Sequence, residues 1–216
     1  MRTAAAAAAA LLLAAPALSP AQELKTDDDK AIYTLGALIG RSVGSFNLNK
    51  REQDILKKGL TDQINGAKLQ VDVEQMQPKV RDLEKARTAQ ASSQYLDKAA
   101  KEKGVEKTTT GLVFKSLKEG TGASPKLSDT VKVHYRGTLT SGTEFDSSYA
   151  RNEPTEFPLN GVIPCWTEGL QKMKVGGKAR LVCPSSIAYG DRGMPPKIPG
   201  GATLVFEVEL LDIVTH

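Results

Sequence analysis

Thr130-Val131-Lys132-Val133-His134-Tyr135 alternates polar and apolar side chains, which places Val131, Val133 and Tyr135 on one face of a strand. Thr203 to Leu211 repeats the period. Leu204, Phe206, Val208 and Leu210 share one face, and Val205, Glu207 and Glu209 share the other. Ala179 to Cys183 predicts a third strand and Leu112 to Leu117 a fourth. Gly137, Ser141-Gly142, Gly176-Gly177, Gly190 and Pro199-Gly200 punctuate these runs as turns. One short helix fits among them, from Trp166 to Met173. The expected fold is α+β, an antiparallel sheet wrapped on a single helix.

Upstream of Lys107 the grammar changes. Eight of the eleven aromatic residues follow that point: Phe114, Tyr135, Phe145, Tyr149, Phe157, Trp166, Tyr189 and Phe206. The earlier part is rich in Ala, Lys, Gln, Glu and Leu, all compatible with helix. Ile32, Leu35, Leu38, Ile39, Val43 and Phe46 recur at helical spacing behind the possible caps Asp27 to Asp29. A second helix is expected from Lys50 to Ile64, stopping at Asn65-Gly66. A third is expected from Asp72 to Lys103, with Pro78 kinking it or delaying its start. Its apolar residues Val80, Leu83, Ala86, Tyr95 and Leu96 are sparse, so it reads as an exposed connector or as a helix needing a partner.

The chain opens with Met1-Arg2-Thr3, an apolar run from Ala4 to Ala15, and the small residues of Ser19-Pro20-Ala21. That pattern predicts an export signal over residues 1–21, cleaved before Gln22. The run is too short for a permanent membrane span. Residues 22–107 then form a helical domain and residues 108–216 the β domain. The net charge of +4 comes without a dense basic cluster, so nucleic acid is not an expected partner. Cys165 and Cys183 form no Cys-x-x-Cys pair, and His134 and His216 lie at no matched ligand spacing. No metal or other cofactor is expected. In an oxidising compartment the two thiols can form one disulfide, since Cys165 adjoins the predicted helix and Cys183 lies on a strand expected beneath it.

Five blocks together carry a resemblance. They are Val133 to Gly137, Gly142 to Ser148, Val162-Ile163 followed by Trp166, Ala188-Tyr189-Gly190, and Ala202 to Leu210. In order and spacing they resemble the FKBP domain of peptidyl-prolyl cis-trans isomerases, over roughly Thr110 to Val214. The helical part is similar to the N-terminal dimerisation domain of Mip-like and periplasmic members. The resemblance implies an isomerase acting on proline-containing unfolded polypeptides in the periplasm or at the outer surface. It also implies a homodimer, chaperone activity, and macrolides as ligands of the same pocket. Carried over, the catalytic set is Tyr135, Phe145, Asp146, Tyr189 and Phe206. The substrate-binding set is Arg151, Phe157, Val162, Ile163, Trp166 and Ile198. The chain departs from the family in a shorter stretch between Leu159 and Val162, in Thr155 where an aromatic often stands, and in Met194 to Lys197.

Those residue types suit the chemistry. Rotation about an X-Pro bond is opposed by a barrier of about 20 kcal/mol, because the amide loses its resonance. No bond breaks, so no nucleophile or general base is needed. A dry apolar cup with Trp166 as floor suffices if it binds the twisted imide preferentially. Asp146 is expected at the cup's edge, held by Arg151 or Tyr135, and Tyr189 and the Ile163 N–H are expected to bind substrate carbonyls. His134 alternates away from Tyr135 and is expected on the solvent side. The competing use of the same parts is a holdase whose helical arms bind clients without turnover; a third, suggested only by the Mip-like layout, is a cell-surface interaction protein.

Overall fold

The computed structural model describes residues 23–214, so the expected export segment at 1–21 and His216 lie outside it. The described chain divides into two compact units, one running through Leu38 and one from Ile39 onward. Among the described residues no helix is long and apolar enough to cross a membrane.

Helix α1 covers Asp27–Ser42. Thr26 starts it, its Oγ1 accepting from the Asp29 N–H at 3.1 Å while Asp29 Oδ2 accepts from the Thr26 N–H at 2.9 Å. Helix α2 covers Lys50–Ile64 and has the same reciprocal cap between Asn49 and Glu52. Helix α3 covers Val73–Ala99, with Asp72 Oδ1 accepting from the Gln75 N–H. It runs unbroken through Pro78 and stops four residues before the expected Lys103. Glu52 of α2 meets Arg87 of α3 at 2.6 Å, half-buried.

The sheet has strands β1 (Val105–Lys107), β2 (Val113–Lys118), β3 (Thr130–Leu139), β4 (Glu144–Ser147), β5 (Thr155–Pro158), β6 (Lys178–Cys183) and β7 (Leu204–Val214). All neighbours are antiparallel in the order β1-β2-β6-β7-β3-β4, with β5 also pairing β3. β1, β4 and β5 are too short to show a period and were not legible in the sequence. β1 also means that the sheet begins at Val105, ahead of residue 108.

The two diagnostic strands lie side by side, Tyr135 opposite Val208 and Val133 opposite Leu210. Their apolar faces, with Leu181 and Cys183 of β6, close over helix α4 (Pro164–Gln171), which buries Cys165, Trp166 and Leu170. Pro164 suits the first helical position because it lacks an N–H that would go unpaired there. Gly169 lets α4 lie against β6: a Cβ there would stand 2.7 Å from Leu181 Cδ2. Cys165 and Cys183 are joined by a disulfide with Cα atoms 5.8 Å apart, tying α4 to the same strand.

The opposite sheet face is also covered. Val113, Val182 and Val205 are buried there with Ala99, and Tyr95, Leu96, Ala100 and Val105 pack around them. The end of α3 is therefore no exposed connector, because it supplies the lid of a second small core. Glu102, just beyond it, accepts from Arg180 at 2.7 Å and from Lys115 at 3.1 Å. Hydrogen bonds from Arg180 and then Lys115 hold the Glu102 carboxyl below its ordinary range.

Candidate functional site

Trp166 stands on the inner face of α4 with three aromatic rings edge-on to it. Tyr135 lies at 5.1 Å between centroids, Phe206 at 5.3 Å and Phe157 at 5.5 Å, each within about ten degrees of perpendicular. Phe145 packs edge-on against Phe206 at 5.6 Å. The rings come from β3, β4, β5, β7 and α4, so no single segment builds the box. Gly137 of β3 makes room within it, since a Cβ there would stand 2.6 Å from Phe145 Cζ and 2.9 Å from Phe206 Cε1. Val162, Ile163, Tyr189 and Ile198 pack on the same core cluster, Ile198 fully buried and the other three half-buried. Among the described residues the buried Trp166 indole nitrogen has no hydrogen-bond partner.

A polar triad lies at the rim. The Tyr135 hydroxyl donates to Asp146 Oδ2 at 2.5 Å, Arg151 Nη1 donates to Asp146 Oδ1 at 2.7 Å, and Arg151 Nη2 donates to the Tyr135 hydroxyl at 3.0 Å. The Arg151 guanidinium carbon also lies 5.8 Å from the Tyr135 ring centre. Burial alone would raise the Asp146 carboxyl. The hydrogen bonds of Tyr135 and Arg151, the Arg151 charge and the Ser147 N–H outweigh it and hold Asp146 below the usual carboxylate range. Burial and the bond to Asp146 push the Tyr135 phenol up, against Arg151. Asp146 is thus an ionised acceptor with both oxygens engaged, an arrangement that suits a fixed dipole better than a proton carrier. Burial, aided by the Asp146 charge, raises the Tyr189 phenol.

His134 does point away from the rings, but it is packed and half-buried. Its ring stacks on Tyr149 at 4.6 Å and its Nδ1 lies 2.9 Å from Ser148 Oγ. Ser148 was missed by sequence reasoning. It is fully buried, and its Oγ accepts from the Tyr135 N–H at 2.8 Å and donates to the Tyr135 carbonyl at 3.2 Å. The available signal was its position two residues after Asp146. Thr155 pairs with Val133 on β5, and its hydroxyl is 3.5 Å from Arg151 Nη2. Among the described residues, no three His, Cys, Asp or Glu side chains gather where they could hold a metal ion.

An antiparallel sheet wrapped on one helix, with an aromatic box on the helix and a hydrogen-bonded ion pair at its rim, defines the class of FKBP domains. Residues 122–211 match the FKBP-type peptidyl-prolyl cis-trans isomerase family, and residues 28–115 match the domain amino-terminal to it. The chain is 41% identical to the FKBP-type isomerase FkpA of Aeromonas hydrophila over 92% of its own length and 81% of the relative. It is 35% identical to the outer membrane protein MIP of Legionella longbeachae, over 92% and 91%. The crystal structure of FkpA from Escherichia coli superposes with a TM-score of 0.58 at 40% identity, covering 88% of this chain and 98% of that one. The protein belongs to the FKBP-type peptidyl-prolyl cis-trans isomerases and, within them, to the two-part group that carries the helical amino-terminal domain.

Proposed function

We propose that the Trp166 box is the proline cup and that the protein uses it to accelerate X-Pro isomerisation in exported polypeptides. The observation that carries this reading is the convergence of Tyr135, Phe157 and Phe206 edge-on around Trp166, with Asp146 fixed at the rim. Trp166 is the floor, and Phe145, Val162, Phe157 and Ile198 are walls. The cup strips water from the prolyl ring and accepts the imide more readily twisted than planar. Each 1.4 kcal/mol or so of that preference gives about a tenfold rate gain. Asp146, oriented by Tyr135 and Arg151, presents fixed negative charge to the rotating imide. Tyr189, half-buried against the inner core, donates its hydroxyl to a substrate carbonyl. The Ile163 N–H, at the start of α4, takes another carbonyl. A macrolide that presents a proline-like ring competes for the same cup.

The helical part makes the protein a homodimer with chaperone activity. Ile55, Leu56, Leu60 and Ile64 of α2 and Val73, Met76, Val80 and Leu83 of α3 are exposed, more apolar surface than two short segments ordinarily leave to water. A second copy is the occupant we favour, and two linked cups raise the local concentration of sites along one client. Export to the periplasm follows from residues 1–21, and the Legionella relative is named for the outer membrane.

An isomer-specific assay on short X-Pro peptides tests the activity, with sedimentation of the processed chain alongside. Turnover at the uncatalysed rate by a folded chain sinks the isomerase reading, and a monomer at micromolar concentration sinks the dimer. Suppression of aggregation of a proline-free client, without turnover on peptides, would favour the holdase alternative.

A further inference from the structure

The second half of α3 hides a stripe that its composition conceals. Thr88, Ser92 and Ala99 are buried, with Ala91, Tyr95 and Leu96 half-buried between them. Steps of three and four residues put all six on one helix face. Ser92 is the polar centre of the stripe. Its Oγ accepts from the Thr203 N–H at 2.9 Å and donates to the Gly201 carbonyl at 3.2 Å. Gly201 and Thr203 form the stem of the loop that begins at Tyr189.

That loop is closed on itself. The Gly201 N–H donates to the Gly190 carbonyl at 2.9 Å, and the Gly193 N–H to the Tyr189 carbonyl at 3.1 Å. Met194 and Ile198 bridge across its tip, and a Cβ at Gly200 would collide with the Asp191 carbonyl. Its two arms are thus hydrogen-bonded and packed against each other. Hydrogen bonds run from Ser92 to Gly201 and from Gly201 to Gly190, which follows Tyr189 in the chain, while Ile198 in the same loop is buried in the inner core.

We infer that Ser92 is a positioning residue for the isomerase site: it ties the end of α3 to the stem of this loop and so sets Tyr189 and Ile198 against the cup. The inference rests on the cup being the substrate site. Without the Ser92 hydroxyl, the buried Thr203 N–H and the half-buried Gly201 carbonyl lose their partner in the helix. The loop then spends part of its time displaced, and apparent substrate affinity falls by the fraction lost.

The test uses the full chain and a short X-Pro peptide, with kcat and KM measured for Ser92→Ala, Ser92→Thr, Tyr189→Ala and the Ser92→Ala/Tyr189→Ala double variant. Ser92→Ala raises KM by about three- to tenfold and changes kcat by less than about twofold, and Ser92→Thr, which keeps the hydroxyl, restores KM. In the Tyr189→Ala background Ser92→Ala has less than half of its effect. Leu96→Ala, which loosens the same helix through packing alone, lowers the melting temperature and leaves KM unchanged. An unchanged KM in Ser92→Ala, or an equal rise in both backgrounds, overturns the inference and spares the cup. Unchanged kcat and KM in Tyr189→Ala overturns the loop's place in the cup, and the inference with it. Ser92→Ala is nearly isosteric. Hydrogen exchange at the Thr203 amide reads the same displacement in whatever fraction is folded, and unaltered protection there also overturns the inference.

Discussion

Gly137 lies beneath Phe145 so closely that a Cβ on it would stand 2.6 Å from the ring's Cζ. β3 and β4 pair at this point, with Phe206 directly across on β7. The glycine is therefore the space in which two walls of the box meet.

Gly137→Ala forces Phe145 or Phe206 aside. Overpacking of this kind costs about 1–3 kcal/mol. We expect a lower thermal midpoint together with a fall in peptide turnover of tenfold or so, as the displaced ring occupies the cup. A variant with wild-type turnover would show that the rings need no such room.

Asp146→Leu keeps a side chain of similar reach and removes the charge that Tyr135 and Arg151 hold. Peptide kcat/KM is expected to drop by about tenfold or more, equivalent to at least 1.4 kcal/mol in the transition state. The loss in folding stability is expected to be smaller, since Arg151 is exposed and can be hydrated. Turnover and a denaturant melt on the same sample decide it. Full activity in a folded variant removes Asp146 from the mechanism.

The acid limb follows from the same triad. Asp146 is held below its unfolded value, so its contribution to stability is present above the ordinary carboxylate pKa of about 4 and fades as pH falls through the lowered folded value. Turnover should accordingly stay level from about pH 5 to 8 and decline only below the ordinary carboxylate range. An Asp146→Asn chain should lose that limb. A wild-type decline centred near pH 6 would contradict the ionised, doubly bonded carboxylate.

Removing the disulfide with Cys165→Ala and Cys183→Ala opens a loop spanning 18 residues. Chain-entropy arguments put the loss at about 3 kcal/mol. Both positions are fully buried, so the alanines leave little new polar or exposed surface. Mass spectrometry of the exported protein should find no free thiol. Two free thiols, or an unchanged melt in the double variant, would refute the bond in solution.

A fragment from Thr108 to His216 should retain the rings of the cup, yet it lacks Ser92, so its KM should rise as in Ser92→Ala, and it lacks Tyr95, Leu96, Ala99, Ala100 and Val105 over the outer valines. We expect it to be monomeric and active on peptides but about 2–5 kcal/mol less stable than a fragment beginning at Thr88. It should also be poorer than the dimer on unfolded clients. Equal melting of the two fragments would mean that α3 contributes nothing to the β domain.

Alternation in Thr130–Tyr135 and Thr203–Leu211 was enough to set the sheet, its inner face and the register-defining strands, because period-two patterning is a local property of the chain. The span of α2 from Lys50 to Ile64 was equally local, read from its apolar spacing and the Asn65-Gly66 stop. The motif blocks contain Tyr135, Phe145, Trp166 and Phe206, and Phe157 entered only with the pocket set that the resemblance implies. What they could not show was the geometry. Trp166 meets Tyr135, Phe157 and Phe206 only after β3, β5, β7 and α4 converge, and edge-to-face contact depends on strand order. The disulfide likewise depends on α4 lying over β6. Ser148 was marked only by its place in a motif block and Ser92 by nothing, since a serine in a polar stretch has the same composition whether it faces water or a buried backbone. The sequence of α3 leaves an exposed connector and a partnered helix equally open, because its docking stripe is built from Thr88, Ala91, Ser92 and Ala99. Small and hydroxylic residues allow close approach to a sheet without registering as an apolar face, and only the folded partner, with Val205 and the Gly201–Thr203 backbone in place, distinguishes such a face from one left to solvent.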